Sequence, residues 1–312
     1  VERAGGVRTA TSPNPWWGSV IEPGGFVGAT PPPGGPHAEV HALRAAGDAA
    51  RGATLYSTLE PCSTTGRTPP CVDQIVDAGI ARVVVGVEDP DERVRGAGIR
   101  ALRAAGVTVD IGVCADEVRA QLAPYLKHRG TGRPWVVLKL AATLDGRTAA
   151  PDGSSRWITG DAARADAHRL RAESDAVIVG AGTVRADDPA LTVRDVPGPN
   201  PLRVVLGRAP AGARVQPALE LGGDLGQVLE ELGRRGVLQA MVEGGATVAG
   251  DFHRAGLVDR YIVYLAPAFF GGDDARPLFA GPGAATIADL WRGRLVSVER
   301  LGDDLRLECS PA

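Results

Sequence analysis

An α/β protein with a partly parallel sheet is what this sequence predicts, on three observations. Strand-like and helix-like runs alternate along the chain, the order from which strand–helix–strand units are built. One strand run, ARVVVGV at 81–87, is apolar but for Arg82. A polar, glycine-containing link near residue 130 separates two such alternating stretches, and 312 residues is the length of two domains of ordinary size.

The elements follow in order. GSVIEPGGFVGA (18–29) reads as two short strands around a Pro-Gly-Gly turn. A Pro/Gly loop then ends at His37, and HAEVHALRAAGDAA (37–50) sets Val40, Leu43 and Ala46 at the core spacing of a helix. ATLYSTLEPC runs as a strand into a loop, and a second helix starts near Pro70, a residue that suits a first helical turn. After the strand at 81–87, GIRALRAAGVTVDIGV repeats helix then strand, and residues 115–133 read as a helix followed by the polar link. The domains are therefore set at 1–130 and 131–312. The second opens with a strand, PWVVLKLAATL, and a turn, DGRTAAPDGSSRWITG. An amphipathic helix (DAARADAHRLRAESD), a strand and turn (DAVIVGAGTV) and a strand (PLRVVLG) come next. A strand–turn–helix unit (GVLQAMVEGGATVAGDFHRAG) and a strong strand (VDRYIVYLAPAF) follow, and no repeat relates the two halves.

Composition narrows the function classes. Hydrophobic residues make up 44%, enough for two cores, and 34 Lys+Arg against 37 Asp+Glu leave a net charge of −3. That balance argues against a general polyanion-binding surface and leaves room for a local basic pocket facing a phosphorylated small molecule. The 42 Gly and 24 Pro read as the coding bias of a GC-rich genome, because periodic apolar segments persist throughout. No apolar run approaches the ~20 residues needed to span a bilayer, and no basic-then-apolar leader opens the chain, so a cytoplasmic protein is expected. The four cysteines (Cys62, Cys71, Cys114, Cys309) are too few for a disulfide scaffold and point to metal binding or catalysis.

His37-Ala38-Glu39 opens one helix, Pro61-Cys62 opens the next loop–helix junction, and Cys71 follows nine residues later. Replacing a ring amine by oxygen needs a hydroxide nucleophile at neutral pH, and Zn²⁺ supplies it by lowering the pKa of bound water to about 7. His37, Cys62 and Cys71 would be three ligands, leaving a fourth position for that water. Glu39 is placed to move protons from the water to the ring nitrogen and the leaving amine as general acid/base. The cysteines sit near a helix N-terminus, where the dipole favours thiolate. The general zinc-deaminase signature is H-x-E followed by P-C-x-x-C; the cysteines here are spaced wider. His41, one turn after His37, reads as a helix-face residue, Cys114 as a structural residue in a strand, and Cys309 as structural near the tail. Trp16-Trp17 reads as packing material or as a wall of the pyrimidine pocket, with packing preferred.

The spaced form LEPCSTTGRTPPC, with SPNPWWG and GGPHAEVHAL before it, resembles the bifunctional deaminase–reductases of riboflavin biosynthesis. LKLAATLDGRTAAPDGSSRWITG, HRLRAESDAVIVGAGTVRADDPALTVR and MVEGGATVAGDF extend the resemblance over nearly the whole chain. It implies a cytidine-deaminase-like α/β/α sandwich followed by a dihydrofolate-reductase-like α/β domain. The first would deaminate 2,5-diamino-6-(5-phosphoribosylamino)pyrimidin-4(3H)-one with zinc, and the second would reduce the ribosyl group to ribityl with NADPH. Carried over by position, Ala142, Trp157, Thr183, Asp187, Gly244 and Gly245 would contact NADPH. Asn14, Arg67, Ser155, Arg171, Leu191, Arg194 and Glu243 would contact substrate, with Arg171 and Arg194 gripping a phosphate through charge-assisted bonds. The resemblance also hints at a homodimer, with no nucleic-acid or membrane partner.

The chain departs from that pattern at Thr30, Thr64 and Thr65, where histidines are usual, and at Arg67, where lysine is. The stretch RAPAGARVQPALELGG (208–223) reads as short of a strand and loop. A second reading is therefore a reductase whose deaminase half is weakened or turned to another aminopyrimidine. A nucleic-acid-editing deaminase is opposed by the charge balance and by the lack of a basic aromatic patch, and a zinc-stabilised binding module by the presence of Glu39.

Overall fold

The computed structural model describes residues 11–12, 16–30, 34–64, 69–92 and 94–312; Asn14, Thr65 and Arg67 lie outside the described residues. The chain divides into two compact units, Val1–Arg133 and Pro134–Ala312.

The first unit is built on a five-stranded sheet of order β2-β1-β3-β4-β5, from β1 (Gly18–Glu22), β2 (Phe26–Ala29), β3 (Thr54–Leu59), β4 (Arg82–Val87) and β5 (Thr108–Ile111). The β1–β2 hairpin is antiparallel, as its short Pro-Gly-Gly turn requires, and β1 also runs antiparallel to β3. Strands β3, β4 and β5 are mutually parallel, joined by helical crossovers. Helices α1 (Ala38–Ala46), α2 (Cys71–Asp77) and α3 (Ala97–Ala104) bury Val40, Leu43, Ile75, Ile99 and Leu102 against Ile21, Leu55, Val83 and Val85. Helix α4 (Ala115–Thr131) meets the sheet at Gly86, where an added Cβ would lie 2.8 Å from the Val118 side chain. Cys114, expected in a strand as a structural residue, is exposed instead. Strand β5 stops at Ile111, and Cys114 is the left-handed cap of α4 at φ 52°.

The second unit carries an eight-stranded sheet of order β10-β9-β8-β11-β6-β12-β15-β14. Its parallel part comprises β6 (Trp135–Thr143), β8 (Ala176–Gly180), β9 (Leu202–Leu206), β10 (Leu219–Leu221), β11 (Gln239–Val242) and β12 (Arg260–Ala266). The antiparallel hairpin β14 (Gly293–Leu301) and β15 (Asp304–Pro311) extends it beyond β12. Helices α5 (Asp161–Ala172) and α6 (Ala181–Asp187) pack on one face, over Val137, Met241 and Ile262 and over Val177 and Val205. Helices α7 (Leu225–Arg234) and α8 (Ala246–Arg254) cover the other, over Leu138, Ile178 and Val242. Because successive strand residues face opposite ways, strands covered on both faces are apolar throughout, as β8 is.

Two readings change. The turn expected after DAVIVG is helix α6, and the long turn 145–160 holds a short strand, β7 (Arg147–Ala149), paired with β13 (Arg276–Pro277). The stretch 208–223 carries β10, which pairs parallel with β9, so the strand expected there is present in a three-residue form.

The closest backbone approach in the first unit lies at Gly28 on β2, where an added Cβ would stand 1.9 Å from the Ala38 carbonyl oxygen at the start of α1. Gly28→Ala must push α1 off the sheet. It is expected to destabilise the unit by about 1–3 kcal/mol, the usual range for overpacking, read as a lower urea midpoint by circular dichroism.

Candidate functional site

His37 immediately precedes α1, in extended conformation and with no capping hydrogen bond from its side chain, so its ring is available to a partner. Cys71 is the first residue of α2 and Cys62 lies in the loop after β3. The fold brings the three together. His37 Nδ1 is 3.2 Å from Cys71 Sγ and 3.5 Å from Cys62 Sγ, and all three candidate ligand atoms lie within 4.8 Å of one another. Among the described residues this is the one His/Cys/Asp/Glu group that could hold a metal ion, and His41 is not part of it.

The donors share protons unevenly. The hydrogen bond from Cys71 draws the Cys62 thiol down to about 4, while that same bond and burial push Cys71 up, and Cys62 raises His37. A thiolate is already favoured at one sulfur, and a bound dication deprotonates coordinating thiols outright. Two sulfurs and one imidazole nitrogen form a donor set for Zn²⁺ with a fourth position left over.

Glu39 faces the same place from the first turn of α1. It is 2% exposed, and its Oε2 has no hydrogen-bond partner. Burial pushes its carboxyl up to about 7, against the opposing pull of His37. A buried, unpartnered carboxylate oxygen beside three metal donors is what a proton carrier for a bound water requires. Trp16 and Trp17 are both buried, and the Trp17 ring meets His37 edge-on at 5.0 Å, so packing accounts for them. Thr30 is a structural clamp: its hydroxyl accepts from the Trp17 N–H at 3.2 Å and donates to the Trp17 carbonyl at 3.1 Å. Thr64 is exposed in the Cys62 loop.

In the second unit the expected residues gather at the carboxyl ends of the parallel strands, where open α/β sheets bind ligands. Ala142 is at the end of β6, Thr183 on α6 after β8, and Glu243, Gly244 and Gly245 between β11 and α8. Gly245 donates its N–H to Thr183 Oγ1 at 3.2 Å, tying the two strand ends together. Trp157 is 68% exposed with the Arg164 guanidinium over its ring, and the Asp187 carbonyl accepts from Arg156. Ser155 is partly buried in the loop before them.

Arg171 is not aimed outward. It is buried, and its Nε and one terminal nitrogen form a two-point pair with Glu243 at 2.8 and 2.9 Å, while the other donates to the Thr192 carbonyl at 2.7 Å. Burial pushes the Glu243 carboxyl up, but the Arg171 guanidinium outweighs it and holds the group below the usual carboxylate value. The Leu191–Arg194 segment hangs on this pair. Leu191 is buried at φ 52°, the Arg194 N–H donates to His168 Nδ1 at 3.3 Å, and the Arg194 guanidinium is exposed.

Sequence reasoning missed Lys139, at the middle of β6. Burial pulls its ammonium below the usual lysine value, Glu243 opposes that, and the Tyr264 ring lies 5.8 Å from Nζ. A lysine inside the otherwise apolar run VVLKLAA was the available signal. His168, whose Nε2 lies 3.2 Å from Asp195, was missed too, as a single histidine on a polar-looking helix.

Residues 18–87 match the family model of the cytidine and deoxycytidylate deaminase zinc-binding region, and residues 134–307 match that of the RibD C-terminal domain. The chain is 43% identical over 325 residues to the riboflavin biosynthesis protein RibD of Mycobacterium tuberculosis, covering 98% of this chain and 94% of that protein. It is 39% identical over 346 residues to RibD of Escherichia coli, covering 96% and 94%. Among solved structures, RibD of Acinetobacter baumannii matches with a TM-score of 0.94 at 39% identity, over 100% of this chain and 96% of that one. A diaminohydroxyphosphoribosylaminopyrimidine deaminase/5-amino-6-(5-phosphoribosylamino)uracil reductase of Thermotoga maritima matches with a TM-score of 0.90 at 34% identity, over 100% and 96%.

Removing one partner of a buried ion pair strands the other. Arg171→Met is expected to cost about 3–5 kcal/mol, because Glu243 is left charged and unpaired. Adding Glu243→Gln should return part of that loss, a coupling that a double-mutant cycle in urea measures.

Proposed function

The chain belongs to the RibD family of riboflavin-biosynthesis proteins, and from that premise we propose how its own residues divide the family's two reactions. It is a bifunctional enzyme, a zinc-dependent deaminase and an NADPH-dependent reductase acting on a phosphorylated pyrimidine. We assign deamination to the first unit and reduction to the second, with 2,5-diamino-6-(5-phosphoribosylamino)pyrimidin-4(3H)-one as the starting substrate. The observation that carries this reading is the convergence of His37, Cys62 and Cys71 beside the unpartnered Glu39 oxygen.

His37, Cys62 and Cys71 hold the zinc, whose Lewis acidity, when it is bound, makes a water nucleophilic near neutral pH. Glu39 Oε2 would take one proton from the attacking water and deliver it to the ring nitrogen, then carry the second, from the hydroxyl so formed on the ring carbon, to the leaving amine. The exocyclic C–N bond is exchanged for C=O and ammonia departs. Burial of Glu39 keeps bulk water from competing for that proton. Asn14 and Arg67 hold the pyrimidine and its phosphoribosyl arm.

In the second unit the Gly244–Gly245 turn, with Thr183 fixing it, offers the first amides of α8 to a phosphate group. Ala142, Trp157 and Asp187 complete the NADPH contacts, and that cofactor supplies the reducing equivalent. Arg194, Ser155, Leu191 and Glu243 bind the substrate. Arg171 acts on it through Glu243 and Thr192, so Arg194 is left as the phosphate-gripping arginine of the two. Lys139 is a further cationic group of this cluster, beside Arg171 and Glu243.

The alternative of a weakened or redirected deaminase loses one of its supports, since Thr30 is occupied in holding Trp17. We also propose a homodimer through the second unit. β14 is the edge strand of the large sheet, and Leu295, Val296 and Val298 are each more than half exposed along it. An edge strand that exposes three apolar residues between its charges offers unpaired backbone groups to a partner strand. No helix among the described residues is long and apolar enough to cross a membrane; a cytoplasmic location is proposed on the unpaired Cys114 and Cys309.

The purified chain, given the diaminopyrimidine phosphoribosyl substrate, should release ammonia, and should then consume NADPH when it is supplied. Glu39→Gln should retain zinc and reduce ammonia release by about 10²–10⁴-fold, with reduction of the deaminated substrate unchanged. Chelation of zinc should likewise abolish ammonia release and spare the reductase. Ammonia release by a zinc-loaded Glu39→Gln at the wild-type rate sinks the proton-carrier assignment. Val296→Glu together with Val298→Glu should shift the species seen by light scattering from dimer to monomer; an unchanged mass places the interface elsewhere.

A further inference from the structure

Glu60 directly follows β3 and stands two residues before Cys62. It is 3% exposed, and its carboxylate is saturated by four backbone N–H groups. Oε2 accepts from Asp89 at 3.2 Å and Gly96 at 2.9 Å, and Oε1 accepts from Gly98 at 2.9 Å and Ile99 at 3.2 Å. All four donors belong to the β4–α3 connection and the first turn of α3, where unpaired amides and the helix dipole favour an anion. The contact is close as well as polar: a Cβ on Gly98 would lie 1.9 Å from the Pro61 carbonyl oxygen. The connection is itself fixed from behind, because Asp89 accepts from the Tyr125 hydroxyl of α4 at 2.9 Å and from the Asp91 N–H at 2.9 Å.

On its other side Cys62 is held by α2. The Val72 N–H donates to the Cys62 carbonyl at 3.2 Å, and the Cys71 N–H points at Cys62 Sγ at 3.4 Å. Cys62 therefore sits between two anchors, α2 on one side and the Glu60–α3 latch on the other, with Pro61 alone intervening. We propose that Glu60 is a positioning residue of the zinc site: by docking the Cys62 loop on α3 it sets where Cys62 Sγ stands relative to His37 and Cys71, and so sets metal affinity and geometry. An amide cannot replace it, since a Gln side chain has one acceptor oxygen and would turn an NH₂ group toward two N–H donors. This proposal rests on the zinc reading of the site.

The test uses the full chain and its Glu60→Gln, Glu60→Asp and Gly98→Ala variants. Zinc affinity is measured by competition with a chromophoric chelator, and ligand geometry by the visible spectrum of the Co²⁺-loaded protein. NADPH consumption checks that the second unit has folded, and circular dichroism against the parent checks the first. Glu60→Gln is expected to lose about tenfold or more in zinc affinity, the range seen when groups supporting metal ligands are removed, with an altered cobalt spectrum and an unchanged reductase rate. Gly98→Ala, whose Cβ would press on the Pro61 carbonyl and come within 3.3 Å of Glu60 Oε1 while leaving the carboxylate's charge in place, should do the same. Should Glu60→Gln lose the first unit's circular dichroism, Glu60→Asp, which keeps the charge but moves it, carries the same expectation. Variants that bind zinc within twofold of the wild type and keep its cobalt spectrum overturn the proposal, whatever their melting temperatures. A wild-type chain that takes up neither metal overturns the zinc site itself, an outcome distinct from indifferent variants in a zinc-binding parent.

Discussion

Two thiols and an imidazole lie within 4.8 Å of one another in a largely buried setting; two thiolates so placed repel, and a bound dication is what lets both sulfurs ionise together. The first unit is arranged around supplying those donors from points that cannot drift. Each comes from a junction where a strand or loop meets a helix: His37 before α1, Cys62 after β3, Cys71 at the head of α2. Such junctions are useful because the first amides of a helix are unsatisfied and favour negative charge. The parallel pairing of β3 and β4 then places the Cys62 loop beside the connection to α3. Sheet order, helix starts and ligand positions are thus one constraint seen at three scales.

The second unit solves a different problem with the same grammar. Its cluster also lies where parallel strands end, but charge balance is reached within the protein, by Arg171 against Glu243 with Lys139 nearby. A two-point guanidinium–carboxylate pair fixes orientation as well as charge. Glu243 is therefore presented in one pose, and the segment bearing Leu191 and Arg194 is hung on the same arginine through Thr192.

The ligands and Glu39 were legible because their chemistry demands particular residue types at short range in sequence. The parallel strands were legible because burial on both faces leaves an apolar run. What could not be read was pairing across distance. Arg171 was carried over as a substrate contact, and nothing in HRLRAESD reveals the carboxylate it meets 72 positions later. Lys139 disappeared inside an apolar strand, and Glu60 inside a motif whose cysteine drew the attention. Helix α7 and the β14–β15 hairpin carry no chemistry and went unread, although Asp224 caps the one and a Gly302-Asp303 turn joins the strands of the other. Short helix α6 was taken for a turn because Gly at its start mimics one.

Thr30 illustrates a wider point about carrying residues between relatives. A histidine grafted there, to imitate chains that have one, would delete the hydroxyl that accepts from the Trp17 N–H and leave the Trp17 carbonyl with the backbone N–H of residue 30 alone. The Trp17 N–H would then be buried without its partner, and the ring that leans on His37 would lose its seat. Position 30 in this chain is thus part of the scaffold's wiring, and a transplant chosen by alignment alone would weaken the metal ligand it was meant to assist.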